Sequence, residues 1–264
     1  MTARIGVFDS GVGGITVLEA LRKVCTDADF VYLGDTAHVP YGTKSPEQIR
    51  ALSVAGAKQL VARDIDALVV ACNTASSWAL EPIREAVGPS LPVIGVVEPG
   101  VRAALAALPR PEAPLLLLAT RATVRSGAYP RAFEAEQPGV NQYLMEQACP
   151  LLVPMIEEGW TDHPILEATI KEYVGRYSGP PGVALLGCTH YPWIQSLFER
   201  AMPGWVVVNP ALQVAREVAT RLALPQIKLL KNESDLLPQG NIEWWFTDLD
   251  AVPKFAFDRL TPGE

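Results

Sequence analysis

Short, almost wholly apolar segments recur along this chain, each followed by a stretch with helical spacing. They are residues 5–8, 30–33, 67–71, 93–97, 115–119, 183–186 and 206–208. A strand with one face in water alternates polar and apolar residues, whereas one with scarcely a polar residue must be covered on both faces. The intervening stretches supply the covers. Ser45-Pro46-Glu47-Gln48 places a capping serine, a proline in the first turn and a glutamine three residues on, after which Ile49, Leu52, Gly56 and Leu60 share one helical face. The pattern predicts an α/β fold: parallel sheets with helices on both sides.

Composition narrows the function classes. The chain's 264 residues suit one large or two small domains, and 49% apolar against 19% charged residues supply a sizeable core. Lys+Arg is 22 and Asp+Glu 29, a net charge of −7, which argues against binding nucleic acid or an anionic membrane. No apolar run reaches the roughly 18 residues of a membrane helix, and the N-terminus enters a strand-like run with no signal-sequence pattern. Four cysteines without a CxxC pair suit neither a disulfide scaffold nor a zinc knuckle, so a reducing cytoplasm is the expected location.

In parallel sheets ligands bind beyond the carboxyl ends of the strands. The residues there are Asp9-Ser10, Gly34-Asp35-Thr36, Cys72-Asn73-Thr74, Thr120-Arg121 and Cys188-Thr189-His190. A faint repeat links them. Residues 67–74 align with 183–190 at an offset of 116, and residues 5–9 align with 116–120 at an offset of 111. Two related α/β halves follow as the expectation, each with a strand ending in a cysteine. The prolines of Val97-Glu98-Pro99-Gly100 and Val208-Asn209-Pro210 mark the candidate joints. One domain is then discontinuous, residues 1–97 plus 209–264 with Cys72, and the other is residues 98–208 with Cys188; the site is expected in the cleft between them. The helix near residues 211–222 is expected to fold back onto the first half.

Burial accounts for Cys25 and for Cys149, which leads into the apolar Pro150-Leu151-Leu152-Val153. For Cys72 and Cys188, spacing alone leaves burial and chemistry both open. Two thiols from equivalent positions suit a racemase, which removes a proton from one face of a carbon and returns one to the other. A thiol's pKa can be moved toward neutrality by its surroundings, and a coupled pair titrates jointly.

Seven segments in order carry a resemblance. They are Phe8-Asp9-Ser10-Gly11-Val12-Gly13-Gly14, Tyr32-Leu33-Gly34-Asp35-Thr36, Pro40-Tyr41-Gly42, Ala71-Cys72-Asn73-Thr74-Ala75-Ser76, Ala119-Thr120-Arg121-Ala122-Thr123-Val124, Cys149-Pro150-Leu151-Leu152-Val153-Pro154 and Leu186-Gly187-Cys188-Thr189-His190-Tyr191-Pro192. Through nearly its whole length the chain resembles the cofactor-independent glutamate racemases of the aspartate/glutamate racemase superfamily. The resemblance implies two pseudo-symmetric α/β domains and interconversion of L- and D-glutamate for peptidoglycan, without cofactor or metal. It implies Cys72 and Cys188 as the acid/base pair, Asp9 as the acidic neighbour of the first and His190 as the partner of the second. It places Asp9, Ser10, Tyr41, Gly42, Asn73, Thr74, Thr189 and His190 around the substrate, and Asp35 and Glu157 as further acids lining the cleft. A homodimer is the expected assembly.

Other readings stand beside it. Gly11-Val12-Gly13-Gly14 lacks the third glycine of a dinucleotide loop, because position 16 is Thr16; its glycines are expected to let the backbone approach a small ligand. Thr74-Ala75-Ser76 and Thr189-His190-Tyr191 are both expected to open helices whose amides hold carboxylates. Cys72 with His190 suits a thiol hydrolase but leaves Cys188 without a role. His38 and His163 are expected on the surface or in loops. Arg121 suits either a carboxylate contact or a structural ion pair. Trp244-Trp245-Phe246 is expected to pack the returning segment. Asn209-Pro210 and the bulky Trp78 depart from the family pattern. Aspartate as substrate and a non-catalytic role binding a protein such as a topoisomerase are the competing functions.

Overall fold

The apolar runs pair into two separate all-parallel sheets. The computed structural model describes residues 2–177, 179–224 and 240–256. The first sheet uses β1 (Arg4–Asp9), β2 (Asp29–Gly34), β3 (Ala67–Val70) and β4 (Val93–Gly95), in the order β4-β3-β1-β2. The second uses β5 (Leu115–Ala119), β6 (Leu144–Ala148), β7 (Val183–Gly187) and β8 (Val206–Val208), in the order β8-β7-β5-β6. The two orders are the same when β1 is matched with β5 and β3 with β7, the pairs that the sequence repeat aligned. The last strand, β9 (Ile242–Phe246), extends the first sheet by pairing with β2, so that Tyr32 lies opposite Trp244.

Alternate strand residues enter opposite cores, as the pleat requires. On one face of the first sheet, Ile5, Val7 and Val69 pack with α1 (Ile15–Val24) and α10 (Ala211–Arg221); on the other, Phe8, Leu68 and Val70 pack with α2 (Pro46–Val61) and α3 (Asn73–Val87). The second sheet is covered by α4 (Val97–Ala106) and α6 (Ala128–Glu136) on one face. On the other lie α7 (Leu152–Glu157), α8 (Pro164–Val174) and α9 (Gln195–Ala201). The remaining helix, α5 (Arg121–Ser126), follows β5. Leu117 is fully buried in the second sheet, and truncating such a leucine to alanine costs about 2–5 kcal/mol.

The Ser45 capping box forms as the sequence indicates, with the Gln48 amide donating to Ser45 Oγ. Gly56 is required on that helix because a Cβ there would lie 2.3 Å from the Phe8 ring. α10 packs against α1, and Arg102 of α4 donates to Glu217 of α10 at 2.9 Å. Within the returning segment 209–264, residues 225–239 and 257–264 lie outside the described residues.

One sequence reading is corrected. The fourth apolar run stops as a strand at Gly95, and Val97-Glu98-Pro99 is the first turn of α4. Proline is tolerated there because first-turn amides have no intrahelical partner. Trp244-Trp245-Phe246 packs the returning segment as expected, with Trp244 and Phe246 against the first sheet's core, and it does so from within a strand, β9. The strand β6, with Glu146 and Gln147 in it, had no counterpart among the apolar runs.

Candidate active site

The carboxyl ends of β1 and β3 face those of β5 and β7, and between them lies a small cavity. It leaves about 60 Å³ to the centres of water molecules, room for roughly four of them. That suits a small polar ligand and not a dinucleotide. Cys72, Asn73 and Thr74 line it from the first half with Ser10, Tyr41 and Gly42; Cys188, Thr189, His190 and Glu157 line it from the second. The strand-end rule therefore found nine of the twenty lining residues, both cysteines among them, while Tyr41, Gly42 and Glu157 came from the resemblance.

Cys72 caps the amino end of α3, where its Sγ accepts from the Ala75 amide at 3.4 Å, and its thiol donates to Ser10 Oγ at 3.4 Å. The amide contact favours a thiolate, as a helix start does generally, and Ser10 adds to it only when its hydroxyl turns to donate to the sulfur. Burial and the nearby Asp9 carboxyl act more strongly the other way, and the Cys72 thiol is pushed up to about 12. At neutral pH this sulfur carries its proton.

Cys188 stands in different surroundings. Its Sγ lies 3.9 Å from His190 Nδ1, while His190 Nε2 lies 2.9 Å from Glu157 Oε1. Burial opposes charge on the imidazole, but hydrogen bonds and the negative charge offered by Cys188 and Glu157 outweigh it and raise His190 to about 10. A protonated imidazole thus sits beside the sulfur at neutral pH. No regular helix begins here: Tyr191–Ile194 is a single 3-10 turn, which corrects the expectation of a helix start after Thr189.

Two expected acids stand behind the wall. Asp9 is fully buried, accepting from the Gly11 amide at 3.1 Å and from Thr189 Oγ1 at 3.3 Å, so it joins the two halves. Burial raises its carboxyl above the usual range. Asp35 does not line the cavity as expected. It accepts from the Tyr41 hydroxyl at 2.6 Å and from Thr247 at 2.8 Å, and it pairs with His38 at 2.8 Å. Its contact with the site runs through Tyr41. Of the other histidines, His38 is half exposed, and His163 caps α8.

Threonine hydroxyls close the seam between the halves. Thr74 Oγ1 lies 3.0 Å from Thr120 Oγ1 and 3.2 Å from Thr123 Oγ1, and the Thr16 hydroxyl donates to the Thr189 carbonyl at 3.0 Å. Trp78, the bulky departure, donates from Nε1 to the Ala122 carbonyl at 2.8 Å and adds a second tie. Asn209 accepts from the Ala211 amide at 3.0 Å, so the other departure still stabilises the start of α10. Gly13 is needed for a protein contact rather than a ligand: a Cβ there would lie 2.4 Å from both His190 Nδ1 and Thr189 Oγ1. Only Gly11 of that loop lines the cavity.

Sequence reasoning assigned no role to Thr120, although the 111-residue offset makes it the counterpart of Asp9. Cys149, read as core, is buried and also reaches the cavity wall. Among the described residues no cluster of His, Cys, Asp and Glu is placed to hold a metal ion, and no helix is long and apolar enough to cross a membrane.

Residues 6–218 match the model of the Asp/Glu/Hydantoin racemase family. The chain belongs to that family. With membership comes the enzyme class, an amino-acid racemase. The chain is 43% identical over 249 residues to the glutamate racemase of Geobacter metallireducens, spanning 94% of this chain and 88% of that protein. It is 38% identical over 245 residues to the glutamate racemase of Aquifex aeolicus, spanning 93% and 89%. Among solved structures, glutamate racemase from Francisella tularensis in complex with D-glutamate superposes with a TM-score of 0.85 at 29% identity, covering 100% of this chain and 95% of that one.

Proposed function

We propose that this racemase interconverts L- and D-glutamate by proton transfer at Cα between Cys72 and Cys188, without a cofactor. The observation that carries the proposal is the presence of both thiols, from equivalent strands of two like sheets, on the wall of one small cavity. The matched relatives, named glutamate racemases, support glutamate as the substrate.

The two environments assign starting states. His190, raised by Cys188 and Glu157, is the proton-holding partner of Cys188, which in this reading begins as the base, and Cys72 begins as the thiol. The Cys188 thiolate takes the α-proton from one face of the substrate, and the Cys72 thiol delivers a proton to the other. Each sulfur ends in the state its partner began in, and the opposite enantiomer uses the reverse sequence. The carbanion's charge spreads onto the substrate carboxylate, where preorganised donors in a water-poor site stabilise it. Ser10, Asn73, Thr74 and Thr189 are the donors in reach, with the α3 amides beneath Cys72. Asp9 acts by holding Thr189. No lysine lines the cavity among the described residues, so the wall offers no amine for a Schiff base.

The domain division at 97/98 and 208/209, a cytoplasmic location, a homodimeric state and a supply of D-glutamate to peptidoglycan go with this reading. Circular dichroism of purified protein with L-glutamate, and separately with L-aspartate, tests it. The glutamate signal should decay to zero with no cofactor added, and faster than that of aspartate. A stable glutamate signal would end the proposal, and faster decay of aspartate would reassign the substrate.

A further inference from the structure

Arg121 is the one permanently cationic side chain on the cavity wall among the described residues. The chain as a whole carries a net charge of −7, which repels an anionic substrate. Arg121 opens α5 directly after Thr120, and its side chain is exposed. The sequence left two roles open, a carboxylate contact or a structural ion pair. No carboxylate among the described residues pairs with Arg121, whereas Arg102, Arg84 and Arg4 all have such partners. Position adds to this: the 111-residue offset makes Arg121 the counterpart of Ser10, which lines the same cavity from the other half. A cation in the first turn of a helix also faces the positive end of the helix dipole, so local stability gives no reason for it.

We infer that Arg121 is a specificity-determining residue that draws an acidic side chain to the cavity mouth and favours dicarboxylic over monocarboxylic amino acids. The inference rests on the proposed racemase reading for its substrate. The polar groups of the wall inside the mouth are mostly neutral donors, which hold a carboxylate without distinguishing one carboxylate from two. A guanidinium supplies that distinction, with charge and a planar donor fork that matches a carboxylate. Because Arg121 is exposed, its effect is moderate and screened by salt.

The test compares wild type, Arg121→Ala, Arg121→Gln, Arg121→Lys and Arg110→Ala by two readouts. Arg110 is exposed and precedes β5, at the opposite end of the second sheet, so it controls for the change in net charge. The first readout is racemisation kinetics. Arg121→Ala and Arg121→Gln should raise KM for glutamate roughly fivefold while kcat moves less than about twofold, and should flatten the fall of kcat/KM with ionic strength. Arg121→Lys should keep most of the wild-type KM, and Arg110→Ala should behave as wild type. The second readout is calorimetric binding of glutarate, a dicarboxylate with no amino group to place at the reacting centre. Its affinity should weaken in the same order. A wild-type KM and salt dependence in Arg121→Ala, an equal loss in Arg110→Ala, or no glutarate binding by wild type would each overturn the inference. If wild type lacked turnover but bound glutarate in an Arg121-dependent way, the racemase reading would fall and the role of Arg121 would stand.

Discussion

Cys72 and Cys188 occupy matched places in two like sheets, yet their surroundings are opposite in character. Cys72 caps a fifteen-residue helix and takes an amide hydrogen bond from Ala75, while its own burial and the nearby Asp9 carboxyl keep its proton on. Cys188 has a short 3-10 turn instead and a His190–Glu157 pair that brings a positive charge to within 3.9 Å. The repeat supplies two sulfurs to the wall of one cavity; the residues that follow each strand supply the difference in surroundings that the proposed acid and base roles need. A symmetric site would leave both thiols protonated or set two thiolates against each other.

The largest expected effect comes from removing either sulfur nucleus. Cys72→Ser and Cys188→Ser should each lower racemisation by roughly 10²–10⁴-fold, the usual contribution of a positioned acid or base. Each should still exchange the α-hydrogen of one enantiomer slowly, and the two variants should favour opposite enantiomers. Near wild-type racemisation by Cys188→Ser would break the comparison.

His190→Asn acts on one side alone and should cost about 10²-fold in kcat/KM, chiefly for the enantiomer deprotonated by Cys188. It also has a stability signature. His190 is raised from 6.5 to about 10 in the folded protein, so its contribution is whole below pH 6.5 and is lost as pH rises through about 10. Urea midpoints should fall across that window in wild type and less so in the variant.

Gly13→Ala pushes a methyl against His190 and Thr189 while leaving the contacts of Cys72 with Ser10 and Ala75 in place. Because displacements of about 1 Å can cost up to 10²-fold, it should lower kcat roughly ten- to a hundredfold with the fold retained by circular dichroism. Trp78→Phe is the mildest change. It removes one tie between α3 and the start of α5, so thermal unfolding should show a loss of about 1 kcal/mol, with little effect on either cysteine's chemistry.

Central strands were legible in the sequence because they are covered on both faces and paired on both edges, which forces them to be apolar. The strands that escaped, β6 and β9, are edge strands, only partly buried, and they carry Glu146, Gln147 and Glu243. A rule that looks for apolar runs cannot see them. Pro99 misled for a related reason: proline ends a strand and also suits the first turn of a helix, and only the pairing of β4 with β3 decides where the strand stops. In the site, residues immediately after strands were legible, since topology alone sends them to the cavity. Asp35 follows a strand too, but the neighbouring Tyr41 comes between it and the cavity, a matter of side-chain packing that spacing does not encode. Arg121 was ambiguous because sequence shows a charge without showing whether a partner meets it.

Proton NMR in deuterium oxide, started separately from L- and from D-glutamate, addresses the two-sided proton transfer most directly. On this account the newly formed enantiomer carries deuterium at Cα from its first appearance, while the remaining starting enantiomer keeps its hydrogen, and this holds in both directions. Product that retained the original hydrogen, or deuterium entering the starting enantiomer as fast as the product, would point to a single base reaching both faces and would contradict the assignment of Cys72 and Cys188.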